Sequence, residues 1–215
     1  MPGAFVTHGI LQDANPADWK RHRFGLAPDR WTRLAGKVIW VTGAGTGFGQ
    51  SLAVGLAAAG ARVILSGRRR AKLEESCAEM RRFGIDPTAC LICPVDITDP
   101  ADVERAMTCI TDRFGALDGV IANAGTFLTG LGQWPLMDQD PADWDRQFNL
   151  NVKAQWLVAR AGLPLMAAGG ETRILFITSE AGWAYTPSAG HYNVSKAALN
   201  NLGASLAAEC ADRYP

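Results

Sequence analysis

The chain has 215 residues, which is enough for one domain with a sizeable hydrophobic core. Hydrophobic residues make up 48% and charged residues 20%, and Lys+Arg and Asp+Glu both number 21, so the net charge is zero. This balance indicates neither a nucleic-acid nor an anionic-membrane partner, and no apolar run is long enough to span a bilayer. The first residues do not resemble a secretory signal, and the five cysteines lack disulfide-framework spacing. We therefore expect a cytoplasmic protein with reduced thiols.

Residues 1–35 show no stable hydrophobic period and contain a basic cluster at residues 20–23. We expect an N-terminal extension here, with a short helix over residues 16–23 that packs Trp19. A loosely docked tail fits this composition better than a partner-binding arm. One further domain is expected over residues 36–215.

A glycine-rich segment follows the first apolar run of that domain. Residues 38–41 predict a strand and residues 51–59 predict a helix. The segment between them is Thr42, Gly43, Ala44, Gly45, Thr46, Gly47, Phe48 and Gly49. The N–H groups at a helix N-terminus can bind a phosphate, so we predict a nucleotide site. The alternative is a glycine-rich turn without a ligand, since the segment departs from the generic GxGxxG pattern at Phe48.

Strand and helix patterns alternate along the rest of the chain. Strands are expected over residues 61–65, 89–95, 117–122 and 173–178, and helices over residues 69–83, 100–114, 141–168 and 188–212. Asp99 is the expected N-cap of the second of these helices, with Pro100 in its first turn. This alternation predicts an α/β fold with a parallel sheet that is covered by helices on both faces.

Four polar residues in the second half of the chain suggest catalysis. Tyr192 and Lys196 are four residues apart, so on a helix they share a face. A lysine ammonium near a phenol stabilises the phenolate, and such a tyrosine can exchange a proton with a carbonyl or an alcohol. Ser179 follows the last predicted strand, at the sheet edge where ligands bind in open α/β folds. Asn151 lies in the long predicted helix.

Together these motifs resemble the short-chain dehydrogenase/reductase family from about residue 36 to the end of the chain. The matching motifs, in order, are TGxxxGxG at residues 42–49, Asn123-Ala124-Gly125, Asn151, Ser179 and Tyr192-xxx-Lys196. The resemblance implies a Rossmann-type doubly wound sheet and a nicotinamide cofactor. It also implies hydride transfer between that cofactor and a small carbonyl or secondary alcohol substrate, without a metal.

The resemblance implies a role for each of the four residues. Tyr192 would be the general acid/base, and Ser179 would hydrogen-bond the substrate oxygen. Lys196 would favour the phenolate of Tyr192 and bind the nicotinamide ribose. Asn151 would hold a water that links Lys196 to solvent. Each residue taken alone also has an ordinary structural interpretation, such as a helix cap, a solvated charge or a turn residue.

The implied cofactor contacts extend along the chain. They are Thr42, Gly43, Gly45, Thr46, Gly47, Phe48, Gly49, Arg68, Asp96, Ile97, Asn123, Ala124, Gly125, Tyr192 and Lys196. NAD-preferring members of the family have an Asp where this chain has Gly67, and Arg68 suits the 2′-phosphate of NADP. We therefore favour NADP(H). NAD(H) stays as the alternative, because this chain has Thr46 where some NADP-preferring members have a basic residue.

The sequence departs from the family at its C-terminus, where members continue with further strands. We expect the C-terminal strands to be missing, which leaves residues 173–178 as an apolar edge that invites self-association. Family members usually form dimers or tetramers, so a homo-oligomer is expected. The competing hypothesis is a shortened, non-catalytic nucleotide-binding or interaction protein derived from this family.

Three other features receive less specific interpretations. Cys90 and Cys93 form a CxxC pair without a second pair for zinc, and we expect buried core thiols. His191, next to Tyr192, could contact a substrate, but an ordinary first-turn helix residue is the preferred interpretation. Residues 127–131 and 183–187 are apolar and aromatic, which suggests a substrate with a hydrophobic portion.

Overall fold

The computed structural model describes residues 27–128, 135–167, 170–185, 187 and 189–213. The chain forms two compact units, which divide between Pro94 and Val95. The helix expected over residues 16–23 lies outside the described residues. None of the helices among the described residues is long and apolar enough to cross a membrane.

The first unit contains three parallel strands in the order β3-β2-β1. Its elements are α1 (Pro28–Thr32), β1 (Val38–Thr42), α2 (Gly47–Ala58), β2 (Arg62–Gly67), α3 (Arg70–Arg82) and β3 (Cys90–Pro94). Every residue of β1 is buried, which is expected for a strand that is covered on both faces. Its carboxyl end leads directly into the glycine-rich segment.

The second unit contains two parallel strands, β4 and β5. Its elements are α4 (Pro100–Phe114), β4 (Gly119–Ala122), α5 (Pro141–Phe148), α6 (Ala154–Ala167), β5 (Arg173–Phe176) and α7 (Gly190–Arg213). The predicted start of α4 is confirmed, because the Asp99 side chain accepts from Ala101 N at 2.9 Å and Pro100 is the first helical residue. Gly115 ends this helix in a left-handed conformation with φ of 65°.

The single long helix expected over residues 141–168 is two helices. A π-helical turn over Asn149–Lys153 joins α5 to α6. Such wide turns interrupt the regular hydrogen-bond ladder and are frequent at functional sites. The helical path continues through Pro164, which lies inside α6.

Parallel strands that alternate with helices in both units confirm the predicted Rossmann-type α/β fold. β5 is last in the strand order, and its Leu175 side chain is 49% exposed. Ser179 lies three residues after β5, at the carboxyl end of that strand.

The cysteines differ from the expectation of five reduced thiols. Cys77 of α3 and Cys90 of β3 are joined as a disulfide. That expectation was wrong for this pair because Cys77 lies on the buried face of α3, which packs against β3, and sequence spacing does not reveal such a contact. Cys90 and Cys93 are three residues apart on a strand, so their side chains point to opposite faces. Cys93 is buried, as expected.

A count of reactive thiols tests this disulfide. In denaturant without reductant, we expect three of the five cysteines to react with an alkylating reagent, and all five after reduction. A disulfide that closes a short loop typically contributes about 3 kcal/mol, so reduction should also lower the melting temperature. Peptide mapping would identify the protected pair. Five reactive thiols before reduction would contradict the pairing.

Candidate active site

The glycine-rich segment forms a tight turn at the carboxyl end of β1. Gly43 and Gly47 have φ of 67° and 56°, a region that other residues adopt only with strain. Thr46 precedes α2, and its side chain makes no capping hydrogen bond in the described part of the chain. The first turn of α2 contains no acidic residue. The N–H groups at this helix end therefore suit an anion.

Contacts from helix α3 fix the shape of this turn. The buried hydroxyl of Ser76 donates to the carbonyl oxygen of Ala44 at 2.8 Å, and Gln50 Nε2 donates to Ser76 Oγ at 3.2 Å. A Cβ at Gly45 would lie 2.9 Å from Lys72 Cβ, which is too close for any other residue without movement. The sequence motif contained no signal for Gln50 or Ser76, because both act through contacts between separate helices.

The end of β2 offers positive charge. Arg68 is exposed there, one residue after Gly67, and no acidic residue precedes it in the strand. The neighbouring Ser66 is structural, since its Oγ accepts from Trp40 Nε1 at 2.7 Å within the core. An anionic group could approach Arg68 without meeting a carboxylate from β2.

The residues after β3 begin the second unit. Asp96 Oδ1 accepts from the N–H of Thr98 at 3.0 Å and from its hydroxyl at 2.7 Å, which is a local turn. Ile97 is buried, with 4% of its surface exposed. The structure thus gives Asp96 the turn-forming contacts that the sequence left as an alternative to its cofactor role.

Lys196 is a nearly buried ammonium group beside Tyr192. Its Nζ donates to the carbonyl oxygen of Ile177 at 2.8 Å and lies 5.8 Å from the centre of the Tyr192 ring. Burial lowers the pKa of Lys196 to about 8, so the group is still largely protonated at neutral pH. A Cβ at Gly125 would be 3.6 Å from this nitrogen, so the glycine leaves space next to the charge.

Asn151 lies in the π-helical turn and is fully buried. Its Oδ1 accepts from Thr126 N at 3.0 Å, and its Nδ2 donates to Thr126 O at 3.0 Å and to Ser195 Oγ at 3.2 Å. Ser195 in turn donates to the carbonyl oxygen of Tyr192 at 2.8 Å. Ser195 was not predicted as a site residue, yet it connects Asn151 to the helix that contains Tyr192.

Ser179 begins the short 3₁₀ turn Glu180–Gly182, and its Oγ accepts from Ala181 N at 3.2 Å. This turn packs directly on α7, because a Cβ at Gly182 would lie 3.0 Å from the carbonyl oxygen of Lys196. Asn200 Nδ2 also donates to Gly182 O at 3.3 Å. The contacts bring the segment of Ser179 to the same helix as Tyr192 and Lys196.

Two further amides fasten the segment after β4. Gln147 Nε2 donates to Thr126 O at 2.5 Å, and its Oε1 accepts from Leu128 N at 3.1 Å. Gln155 Nε2 donates to Ala124 O and to Leu150 O. Both side chains are buried. The sequence did contain a signal for them, because Gln147, Asn151 and Gln155 repeat at four-residue intervals on one helical face.

Comparisons with known proteins identify relatives of the whole α/β part of this chain. The family model described as short chain dehydrogenase matches residues 37–214. An uncharacterised oxidoreductase of Staphylococcus aureus strain N315 is 31% identical over 180 residues, which cover 84% of this chain and 74% of that protein.

Solved structures with different cofactors are also similar. A metagenomic short-chain oxidoreductase in complex with NADP is 32% identical, with a TM-score of 0.74, over 83% of this chain and 78% of that one. A short chain dehydrogenase/reductase from Burkholderia phymatum in complex with NAD is 28% identical, with a TM-score of 0.73, over 80% of this chain and 59% of that one.

The buried charge of Lys196 should cost stability. Its pKa falls from 10.5 to about 8 on folding, so the unfolded chain binds more protons between these values. The full cost is present below pH 8 and disappears as the pH rises towards 10.5. After allowing for the lost bond to Ile177, we expect Lys196→Met to stabilise the fold by about 2 kcal/mol at neutral pH.

Chemical denaturation at several pH values measures this effect. The gain in Lys196→Met should shrink above pH 8. Lys153→Met is the matched control, because Lys153 is exposed and its replacement should change stability by less than about 0.5 kcal/mol. A gain that does not depend on pH, or no gain, would contradict the assignment.

Proposed function

The chain belongs to the short-chain dehydrogenase/reductase family, and we propose that it transfers a hydride between NADP(H) and a carbonyl or secondary alcohol substrate. The main support is the buried Lys196 ammonium beside the Tyr192 ring. A buried cation costs free energy, so its presence here points to a function, and it lies near a phenol that can exchange protons.

Tyr192 acts as the general acid/base in this proposal. It donates a proton to the substrate oxygen during reduction and accepts one during oxidation. The nicotinamide, when bound, supplies or accepts the hydride. Ser179 donates a hydrogen bond to the same substrate oxygen, and its turn is packed on the helix that contains Tyr192.

Lys196 acts as a positive charge near the phenol. With a pKa of about 8 it remains mostly an ammonium ion at neutral pH, so a positive charge lies 5.8 Å from the centre of the Tyr192 ring. In this proposal Asn151 holds a water molecule that links Lys196 to solvent. The Asn151 amide already bonds Thr126 and Ser195, so it also holds the site together.

The first unit has groups that suit the phosphates of the cofactor. The uncapped N-terminus of α2 after Thr46 suits a pyrophosphate, and the exposed Arg68 suits a 2′-phosphate. Similar structures contain NADP in one case and NAD in another, so the preference for NADP(H) is our proposal. The remaining proposed cofactor contacts are Asp96, Ile97, Asn123, Ala124, Gly125, Tyr192 and Lys196.

The cytoplasmic location and the homo-oligomeric state also stand as proposals. Exposed apolar side chains on β5, α6 and α7 support association, because a second copy could bury them; they are Leu175, Trp156 and Val194.

Replacement of the phenol tests the catalytic role. We expect Tyr192→Phe to bind NADP(H) nearly as well as the unaltered chain and to lose about 10²–10⁴-fold in turnover, the usual contribution of general acid/base catalysis. Cofactor fluorescence and a panel of generic ketones measure the two quantities. Retained turnover would remove Tyr192 from the mechanism. NADP(H) binding without turnover in the unaltered chain would favour the non-catalytic hypothesis.

Replacement of Arg68 tests the cofactor preference. Arg68→Ala should weaken NADP(H) binding by roughly 1.5–3 kcal/mol, the range for hydrogen bonds to charged groups, and leave NAD(H) binding nearly unchanged. Arg81→Ala provides a matched control, because Arg81 is exposed near the other end of α3. Equal losses for both cofactors would mean that Arg68 is structural. Tighter binding of NAD(H) by the unaltered chain would overturn the NADP assignment.

A further inference from the structure

His191 is a fully buried histidine directly before Tyr192. Its main-chain N–H donates to Gln139 Oε1 at 3.1 Å. Neither Nδ1 nor Nε2 has a hydrogen-bond partner among the described residues. The mechanism proposed above does not use this ring, and the sequence alone suggested an ordinary helix residue. A buried imidazole with both nitrogens unpaired costs free energy, so its presence requires an explanation.

Aromatic side chains from two other segments surround His191. The Phe127 ring contacts it edge-on with centroids 6.3 Å apart, and Trp144 of α5 lies 6.2 Å away. Trp144 also stacks on Phe148 at 5.8 Å. These packed rings leave the imidazole little freedom to move.

Phe127 connects His191 to the phenol of Tyr192. Its ring lies 4.8 Å from the Tyr192 ring, the shortest centroid distance among the described aromatic pairs. The backbone on both sides of Phe127 is fixed, because Gln147 bonds Thr126 and Leu128. A displacement of the Phe127 backbone away from either ring would therefore break these part-buried hydrogen bonds.

We infer that His191 is a positioning residue that must stay neutral, and that through Phe127 it holds the Tyr192 ring in place. The inference rests on the proposed role of Tyr192. Protonation would add a second unpaired N–H inside the aromatic cluster and should displace Phe127, and with it the phenol.

The charged groups around His191 do little to favour its protonated form. Burial lowers the pKa of His191, and Asp143 on α5 opposes this shift. Asp143 is itself paired with Arg146. On α7, the N-terminal end of the helix carries partial positive charge and Lys196 lies five residues further on, and both disfavour a second cation. The segment 126–128 adds no titratable group.

The sign of the pH effect follows from this lowered pKa. The unfolded chain binds more protons than the folded chain below the ordinary value of 6.5. The stability contributed by the neutral cluster is therefore complete above that pH and is lost as the pH falls towards the folded pKa. Displacement of Tyr192 should occur over the same acidic range.

NMR of the full chain with ¹³C-labelled His and Tyr tests the coupling without cofactor or substrate. The chain has three His and three Tyr, and His191→Phe and Tyr192→Phe assign the two signals. We expect His191 to titrate below its ordinary pKa, and the Tyr192 signal to shift with the same midpoint. Tyr185 is 90% exposed and serves as the internal control that should not follow.

Two variants make the result decisive. In His191→Phe the acid shift of Tyr192 should disappear, and in Phe127→Leu it should lose most of its amplitude while His191 still titrates. The inference would be overturned if the Tyr192 chemical shift did not change as His191 titrates, or if His191 had an ordinary pKa. If acid unfolds the chain before His191 titrates, the pH midpoint of unfolding should be lower in His191→Phe than in the unaltered chain. An equal midpoint would overturn the inference. Failure to bind NADP(H) would count against the proposed function alone.

Discussion

The buried ammonium of Lys196 is the constraint on which the second unit depends. Removing a cation from water costs several kcal/mol unless nearby groups replace its hydration. Here the carbonyl of Ile177 supplies one such group, and Gly125 leaves room next to the charge. Next to it, Asn151 donates to Ser195 at 3.2 Å and connects the π-helical turn to the helix that contains Lys196. The second unit thus retains a burial that costs stability.

The first unit depends on a different constraint, which is the shape of the glycine turn. Gly43 and Gly47 adopt backbone conformations that side chains disfavour, and Gly45 allows α3 to approach at Lys72. The buried Ser76 of α3 then bonds the turn itself. An exposed helix end that suits an anion is therefore held by contacts from a helix that begins more than twenty residues later in the chain.

Three buried amide side chains bond the backbone of the segment after β4. Gln147, Asn151 and Gln155 all bond its backbone, and the π-helical turn lies in the middle of this set. A regular helix pattern predicted one continuous element here, because local periodicity does not distinguish a wide turn from an α-helical one. The Gln147 bonds to Thr126 and Leu128 also place Phe127 next to the rings of His191 and Tyr192.

The sequence by itself determined the features that depend on neighbouring residues. These were the alternation of strands and helices, the glycine turn before α2, the Asp99 cap and the spacing of Tyr192 and Lys196, since periodicity and capping act within a few residues. The tertiary structure alone decided which distant groups meet. Cys77 pairs with Cys90, Asn151 bonds Ser195 across 44 residues, and His191 is enclosed by aromatic rings. Packing selects such partners from many polar and aromatic candidates, and no local pattern distinguishes the selected ones.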